Sequence, residues 1–129
     1  NMGTRFCATQ EAPIHHAIKE RLVGAGESDT RLILRTLRNS GRVLLNETSA
    51  AVLAQEHRPG GATFADVQPL VAGARGRAAL SSGEAEAGLV WAGQCVGLID
   101  DIPTCAELLE RMGSECLEAL RQAASVYRR

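Results

Sequence analysis

The residues of this sequence able to do chemistry fall near its two ends. Gly3 lets backbone N–H groups approach a ligand with no side chain in the way, and Thr4 adds a hydroxyl. Together they suit an anion such as phosphate, although a turn glycine followed by a strand threonine looks the same. Arg5 either brings charge to such an anion or forms an ion pair. Cys7, Cys95, Cys105 and Cys116 contain no C-x-x-C pair, and His15, His16 and His57 complete no ligand spacing, so no metal site is expected. The thiols read as reduced, partly buried small hydrophobes. His15 and His16, consecutive on a helix, would point about 100° apart and could not share a ligand; packing or solvation suits them better. Asp100-Asp101, ahead of Ile102-Pro103 and a capped helix, read as turn formers facing a helix N-terminus rather than an acid–base pair. Gln94 fits either a ligand contact or a helix surface.

The bulk composition bounds what these residues can serve. Of 129 residues, 45% are apolar and 22% charged, with a formal net charge of −1, the profile of a globular domain. A balanced charge and 3% aromatics leave no footprint for nucleic acid. No apolar run reaches the roughly 20 residues of a membrane span. No charged and apolar leader pattern follows Asn1-Met2, so cytoplasm is the default location.

Several elements must position these groups. Asn1 to Phe6 reads as a strand end running into a loop. Thr9 to Pro13 reads as a helix start, with Ile14, Ala17, Ile18 and Leu22 on one face and Gly24 and Gly26 closing it. Thr30 to Leu37 and Arg42 to Leu45, around the turn signal Asn39-Ser40-Gly41, fit either a short hairpin or a helix. Asn46 caps a helix to about His57, and Arg58-Pro59-Gly60-Gly61 is a loop. Thr63 with Asp66 opens another helix, which Pro69 bends, and Ala74 to Leu80 forms a further piece. Glu84 to about Gly97 reads as a buried helix anchored by Trp91. Thr104 and Glu107 form a capping box for a last helix with the stripe Cys105, Leu108, Leu109, Met112, Cys116, Leu120 and Ala123. The inventory is mainly α: five to six helices with few short strands.

Two segments carry a family resemblance. Asn1-Met2-Gly3-Thr4-Arg5-Phe6, followed by Ala8-Thr9-Gln10-Glu11-Ala12-Pro13, resembles the opening signature of the late part of nitronate monooxygenase (2-nitropropane dioxygenase) flavoproteins. Ala92-Gly93-Gln94-Cys95-Val96-Gly97-Leu98-Ile99-Asp100-Asp101-Ile102-Pro103 is similar to a stretch near the end of the same proteins. Arg38-Asn39 and Gly73-x-Arg75-Gly76-Arg77 fall between them in order. The resemblance implies the C-terminal part of an FMN-binding TIM (β/α)8 barrel with an inserted helical domain, a fold of roughly 250 residues.

On that basis residues 1–8 would be the last barrel strand and FMN phosphate loop, 9–83 a mostly helical inserted domain, and 84–129 C-terminal helices returning to the barrel. Asn1, Met2, Gly3 and Thr4 would hold the FMN phosphate, and Gln94 could contact flavin or substrate. The catalytic residue would lie upstream of this chain, so neither His15 nor His16 inherits that role. Where the family often reads W-S-A-G-Q, Trp91 here replaces the serine. The implied activity is oxidation of alkyl nitronates with O2. The alternatives are NAD(P)H:quinone reduction on the same fold, or a non-catalytic helical remnant or interaction module. Helix faces shaped to cover a barrel would also favour self-association.

Overall fold

The computed structural model of the chain describes residues 2–127. In order, it contains α1 (Gly3–Cys7), α2 (His16–Val23), β1 (Thr30–Ile33), β2 (Gly41–Leu44), α3 (Glu47–Glu56), α4 (Phe64–Val71), α5 (Gly73–Ser82) and α6 (Cys105–Val126). Two 3-10 turns, Ala85–Ala87 and Gln94–Leu98, lie between α5 and α6. The described residues are therefore mainly helical, with few short strands and no barrel.

The middle of the chain follows its local signals. β1 and β2 pair antiparallel in the register Thr30↔Leu44 to Ile33↔Gly41, which resolves the hairpin-or-helix ambiguity in favour of the hairpin. Asn46 caps α3 by accepting from the Ser49 N–H at 2.7 Å, while Ser49 Oγ accepts from the Asn46 N–H at 2.9 Å. The two boxes at Thr63/Asp66 and Thr104/Glu107 are both closed. Each reciprocal pair satisfies N–H groups that a helix start would otherwise leave without partners.

Three expectations of element type fail. Residues 3–7, read as a strand end, form the short helix α1. The helix start expected at Thr9 to Pro13 is also displaced: α2 begins only at His16, with His15 as its N-cap. Segment 9–14 is held as a turn instead. Thr9 Oγ1 donates to the Phe6 carbonyl, the Gln10 N–H to the Pro103 carbonyl, and Lys19 Nζ to the Gln10 carbonyl.

The largest miss is 84–97, read as one buried helix. Gly83, at φ +87°, ends α5 in the left-handed conformation, and Leu89 to Ala92 is extended. That extended stretch pairs with β2: the Leu44 N–H donates to the Val90 carbonyl at 2.8 Å and Val43 bridges Trp91. An apolar run bounded by Gly88 and Gly93 fits a buried strand as well as a helix, and the neighbouring β2 decides between them.

The ribbon so formed carries a core on each face. Leu44, Val90 and Ala92 pack with Ala8, Ile18, Leu22, Val96 and Ile99. Val43 and Leu89 pack with Ile33, Val52 and Val67 on the other side. Consecutive residues of a strand point to opposite faces, so both members of Val43-Leu44 are buried. Helix α6 is docked only at its start. Leu108 is buried, whereas every described residue from Gly113 onward is exposed, so the stripe expected along this helix is largely uncovered. No helix among the described residues is long and apolar enough to cross a membrane.

Candidate functional site

The two terminal motifs meet. Thr4 sits in the first turn of α1, Gly93 directly precedes the turn Gln94–Leu98, and the Gly93 N–H donates to Thr4 Oγ1 at 3.0 Å. A Cβ added at Gly93 would lie 3.3 Å from Cys95 Sγ and 3.8 Å from Thr4 Oγ1. The backbone of the second motif therefore comes close to the side chains of the first.

Beside this contact lies a hollow of about 480 Å³, bordered by Gly3, Thr4, Cys7, Arg42, Trp91 and Gly93 among others. Its lining holds one cation, Arg42, and no carboxylate. The Thr4 hydroxyl oxygen accepts from Gly93, and its proton goes to no described residue. A hydroxyl donor and a guanidinium with no competing carboxylate are what an anion requires. Among the expected site residues, Gly3 and Thr4 border the hollow. Met2 lies one residue before it, and Asn1 lies outside the described residues.

The remaining candidates separate from this hollow. Gln94 is exposed and does not line it, although its neighbours Gly93 and Cys95 do. Trp91, expected as a core anchor, is 55% exposed and lays its ring against Gly41, where an added Cβ would come within 2.2 Å of it. The strand geometry of 89–92 turns Val90 and Ala92 inward and Trp91 outward. Arg42 was not singled out from the sequence; its signal is the density of arginines around the hairpin.

Arg5 resolves into an ion pair. Its guanidinium donates to Asp101 Oδ1 at 3.1 Å, to the Asp101 carbonyl at 2.8 Å and to the Ala8 carbonyl at 2.9 Å. Asp101 also accepts from Arg111 at 2.7 Å. The Arg111 hydrogen bond, with the nearby charges of both arginines, holds the Asp101 carboxyl below its usual range. Asp101 is thus more than a turn former: it ties α1 to the start of α6. His15 Nδ1 accepts from the Ala17 N–H at 3.2 Å, and His16 faces Glu20 at 3.6 Å. All four cysteines are free, and no group of three metal-ligating side chains occurs among the described residues.

A small mixed domain with two motifs brought together at an anion-suited hollow is consistent with the family expectation. The nitronate monooxygenase family model matches residues 1–115. The chain belongs to the nitronate monooxygenase family.

Among curated proteins it is similar to the (3aS,4S,5R,7aS)-5-hydroxy-7a-methyl-1-oxo-octahydro-1H-indene-4-carboxyl-CoA dehydrogenase of Mycobacterium tuberculosis, at 27% identity over 97% of this chain and 45% of that protein. The enzyme of the same name from Rhodococcus jostii is 23% identical, over 92% of this chain and 43% of its own length. Among solved structures it resembles FabK from Thermotoga maritima, with a TM-score of 0.77 and 28% identity over 93% of this chain and 38% of that one. A mutant of the same protein gives a TM-score of 0.67 at 27% identity, over 93% of this chain and 35% of the other. The chain spans less than half the length of these relatives.

Proposed function

We propose that this chain is the C-terminal part of an FMN-dependent oxidoreductase and supplies the corner that holds the flavin phosphate. The observation that carries the reading is the Gly93 N–H to Thr4 Oγ1 hydrogen bond, beside a hollow whose lining has Arg42 and no carboxylate. Gly3 and Thr4, with Met2 and Asn1 adjoining, would hold the phosphate, and Arg42 would balance part of its charge. These residue types fit a phosphate group, and Gln94, next to the lining residues Gly93 and Cys95, would contact flavin or substrate from beside the hollow. The flavin, when bound, supplies the electron-transfer chemistry. This chain's residues bind and orient its phosphate end.

For the intact protein the reaction we propose is oxidation of alkyl nitronates with O2. The family match supports this reading, and the dehydrogenase names of the two curated relatives support an oxidoreductase in general. The division into a phosphate loop at 1–8, an inserted helical part at 9–83 and returning helices at 84–129 belongs to the same proposal. Under it, the exposed Leu109, Leu117 and Leu120 of α6 cover the barrel, and in the chain taken alone they favour self-association.

The test restores the barrel by fusing a homologous N-terminal half to Asn1. The fusion should bind FMN and consume O2 with an alkyl nitronate. Gly3→Val should lose flavin, while His15→Ala should leave flavin content and turnover intact. A fusion that folds without flavin, or a Gly3→Val variant that keeps it, would sink the phosphate assignment. Turnover with NAD(P)H and a quinone but not with nitronate would instead place the protein with the quinone reductases of this fold.

A further inference from the structure

Between Thr30 and Asn46 the sequence carries Arg31, Arg35, Arg38 and Arg42 and no carboxylate, within a chain of net charge −1. The hairpin gathers three of the four, Arg31, Arg35 and Arg42, around a hollow of about 700 Å³ that His57 and Glu56 also border. None of the three pairs with a carboxylate among the described residues. Arg31 donates to the carbonyls of Ser28 and Thr30, and Arg42 to Thr30 Oγ1. The Arg35 guanidinium has no hydrogen bond or ion pair to any described residue, and only its backbone carbonyl is engaged, accepting from the Arg38 N–H at 3.1 Å. Such a concentration of guanidinium groups with no counter-charge of its own calls for an anion from outside.

The one carboxylate in the wall is committed elsewhere. Glu56 accepts from the Leu34 N–H at 2.7 Å, the Thr36 N–H at 3.1 Å and the Thr36 hydroxyl at 2.8 Å. The wall sets three guanidinium groups against that single carboxylate. The loop Glu56 holds is unusual in its backbone. Leu34 at φ +59° and Arg38 at φ +54° both adopt the left-handed conformation, which side chains other than glycine seldom take. Glu56 thus fixes the loop that presents Arg35, so the positive wall is set before any ligand arrives. Leu53 and the 38% exposed Leu32 add an apolar strip along the same hollow.

We propose that this hollow is a binding site for the diphosphate group of a small ligand. Three guanidinium groups match the charge and the many acceptor oxygens of a diphosphate better than they match a single carboxylate ligand, because each can engage two oxygens at once. The site is separate from the flavin-phosphate corner. It contains no residue of α1; among the described residues Arg42 alone borders both hollows and would be shared between them, so Arg31 and Arg35 are the two guanidinium groups that belong to this site alone. The ligand is either inorganic pyrophosphate or a molecule built on a nucleoside diphosphate, whose organic part would lie on Leu32 and Leu53.

The test is calorimetric titration of the 129-residue chain with inorganic pyrophosphate and with ADP at low ionic strength. The two should compete for one site. Arg35→Ala, at an exposed side chain with no hydrogen bond or ion pair to the described residues, should weaken both by roughly tenfold or more, with Arg35→Lys between it and the parent. Arg121→Ala, on the exposed part of α6, should change neither. Thr4→Ala should also leave both affinities unchanged, which separates this site from the flavin reading. Tighter binding of ADP assigns a nucleoside-bearing ligand, and equal affinities assign pyrophosphate itself. Absence of binding at millimolar concentrations, or equal losses in Arg35→Ala and Arg121→Ala, overturns the proposal.

Discussion

The Gly93 N–H donates to Thr4 Oγ1 at 3.0 Å, joining two residues 89 positions apart. This bond fixes how α1 lies against the turn Gln94–Leu98. Replacing Thr4 by Val keeps the shape but removes the acceptor, leaving a half-buried N–H without its partner. We expect a loss of about 1–3 kcal/mol in folding stability, and near-parental stability for Thr4→Ser, read from denaturant midpoints. In the barrel-restored fusion, Thr4→Ala should lower FMN affinity by roughly tenfold to a hundredfold, measured by fluorescence titration.

Asn46 does two jobs that one substitution can separate. Its Oδ1 caps α3, while its Nδ2 donates to the carbonyls of Ala85 at 2.6 Å and Gly88 at 2.8 Å. Asn46→Ala should cost about 2–4 kcal/mol, since a cap is lost and buried carbonyls are left unpaired. Asn46→Asp keeps the cap but turns a donor into a second acceptor facing those carbonyls. If Asp proves as stable as Asn in a thermal melt, the tie to 85–88 contributes nothing.

Two glycine-to-alanine changes should have opposite signs. At buried Gly88 an added Cβ would lie 2.9 Å from both Ala79 Cβ and the Arg75 carbonyl, and 3.1 Å from Gly76 Cα. That neighbour is largely backbone of α5 and cannot yield cheaply, so Gly88→Ala should destabilise by about 1–3 kcal/mol. Gly113 lies within α6 with nothing within 4 Å of the added atom. There Ala should stabilise, by up to about 1 kcal/mol through helix propensity. Denaturant unfolding of the two variants side by side decides it.

Glu56 should make the fold sensitive to acid. Burial opposes its ionisation, but the hydrogen bonds from the Thr36 hydroxyl, the Thr36 N–H and the Leu34 N–H outweigh that effect and hold its carboxyl below the usual glutamate range. With the folded value below the unfolded one, the stabilisation is fully present above the unfolded value of about 4.5. It is lost as pH falls through the lower, folded value. Glu56→Gln should therefore be less stable than the parent at neutral pH and lose less on acidification. Melting curves from pH 7 down to about 3 compare the two slopes; parallel slopes would remove Glu56 from the acid response.

The sequence by itself determined the features whose interactions close within a few residues. The reciprocal caps at Asn46, Thr63 and Thr104 need only a partner three positions on. The turn expected at Asn39-Ser40-Gly41 falls earlier, at residues 35–38, where Glu56 holds the loop from a distance. The family was legible for a different reason: its two motifs are contiguous runs. The tertiary structure decided whatever depends on a partner far along the chain. Residues 89–92 are apolar enough for helix or strand, and only the adjacent β2, with unpaired backbone groups to satisfy, makes them extended and turns Trp91 outward. Arg5 could have faced a phosphate, but Asp101, 96 positions away, takes its charge together with Arg111. The same holds for Arg31, Arg35 and Arg42: spacing shows that they are numerous, and only the register of the hairpin sets them around one hollow.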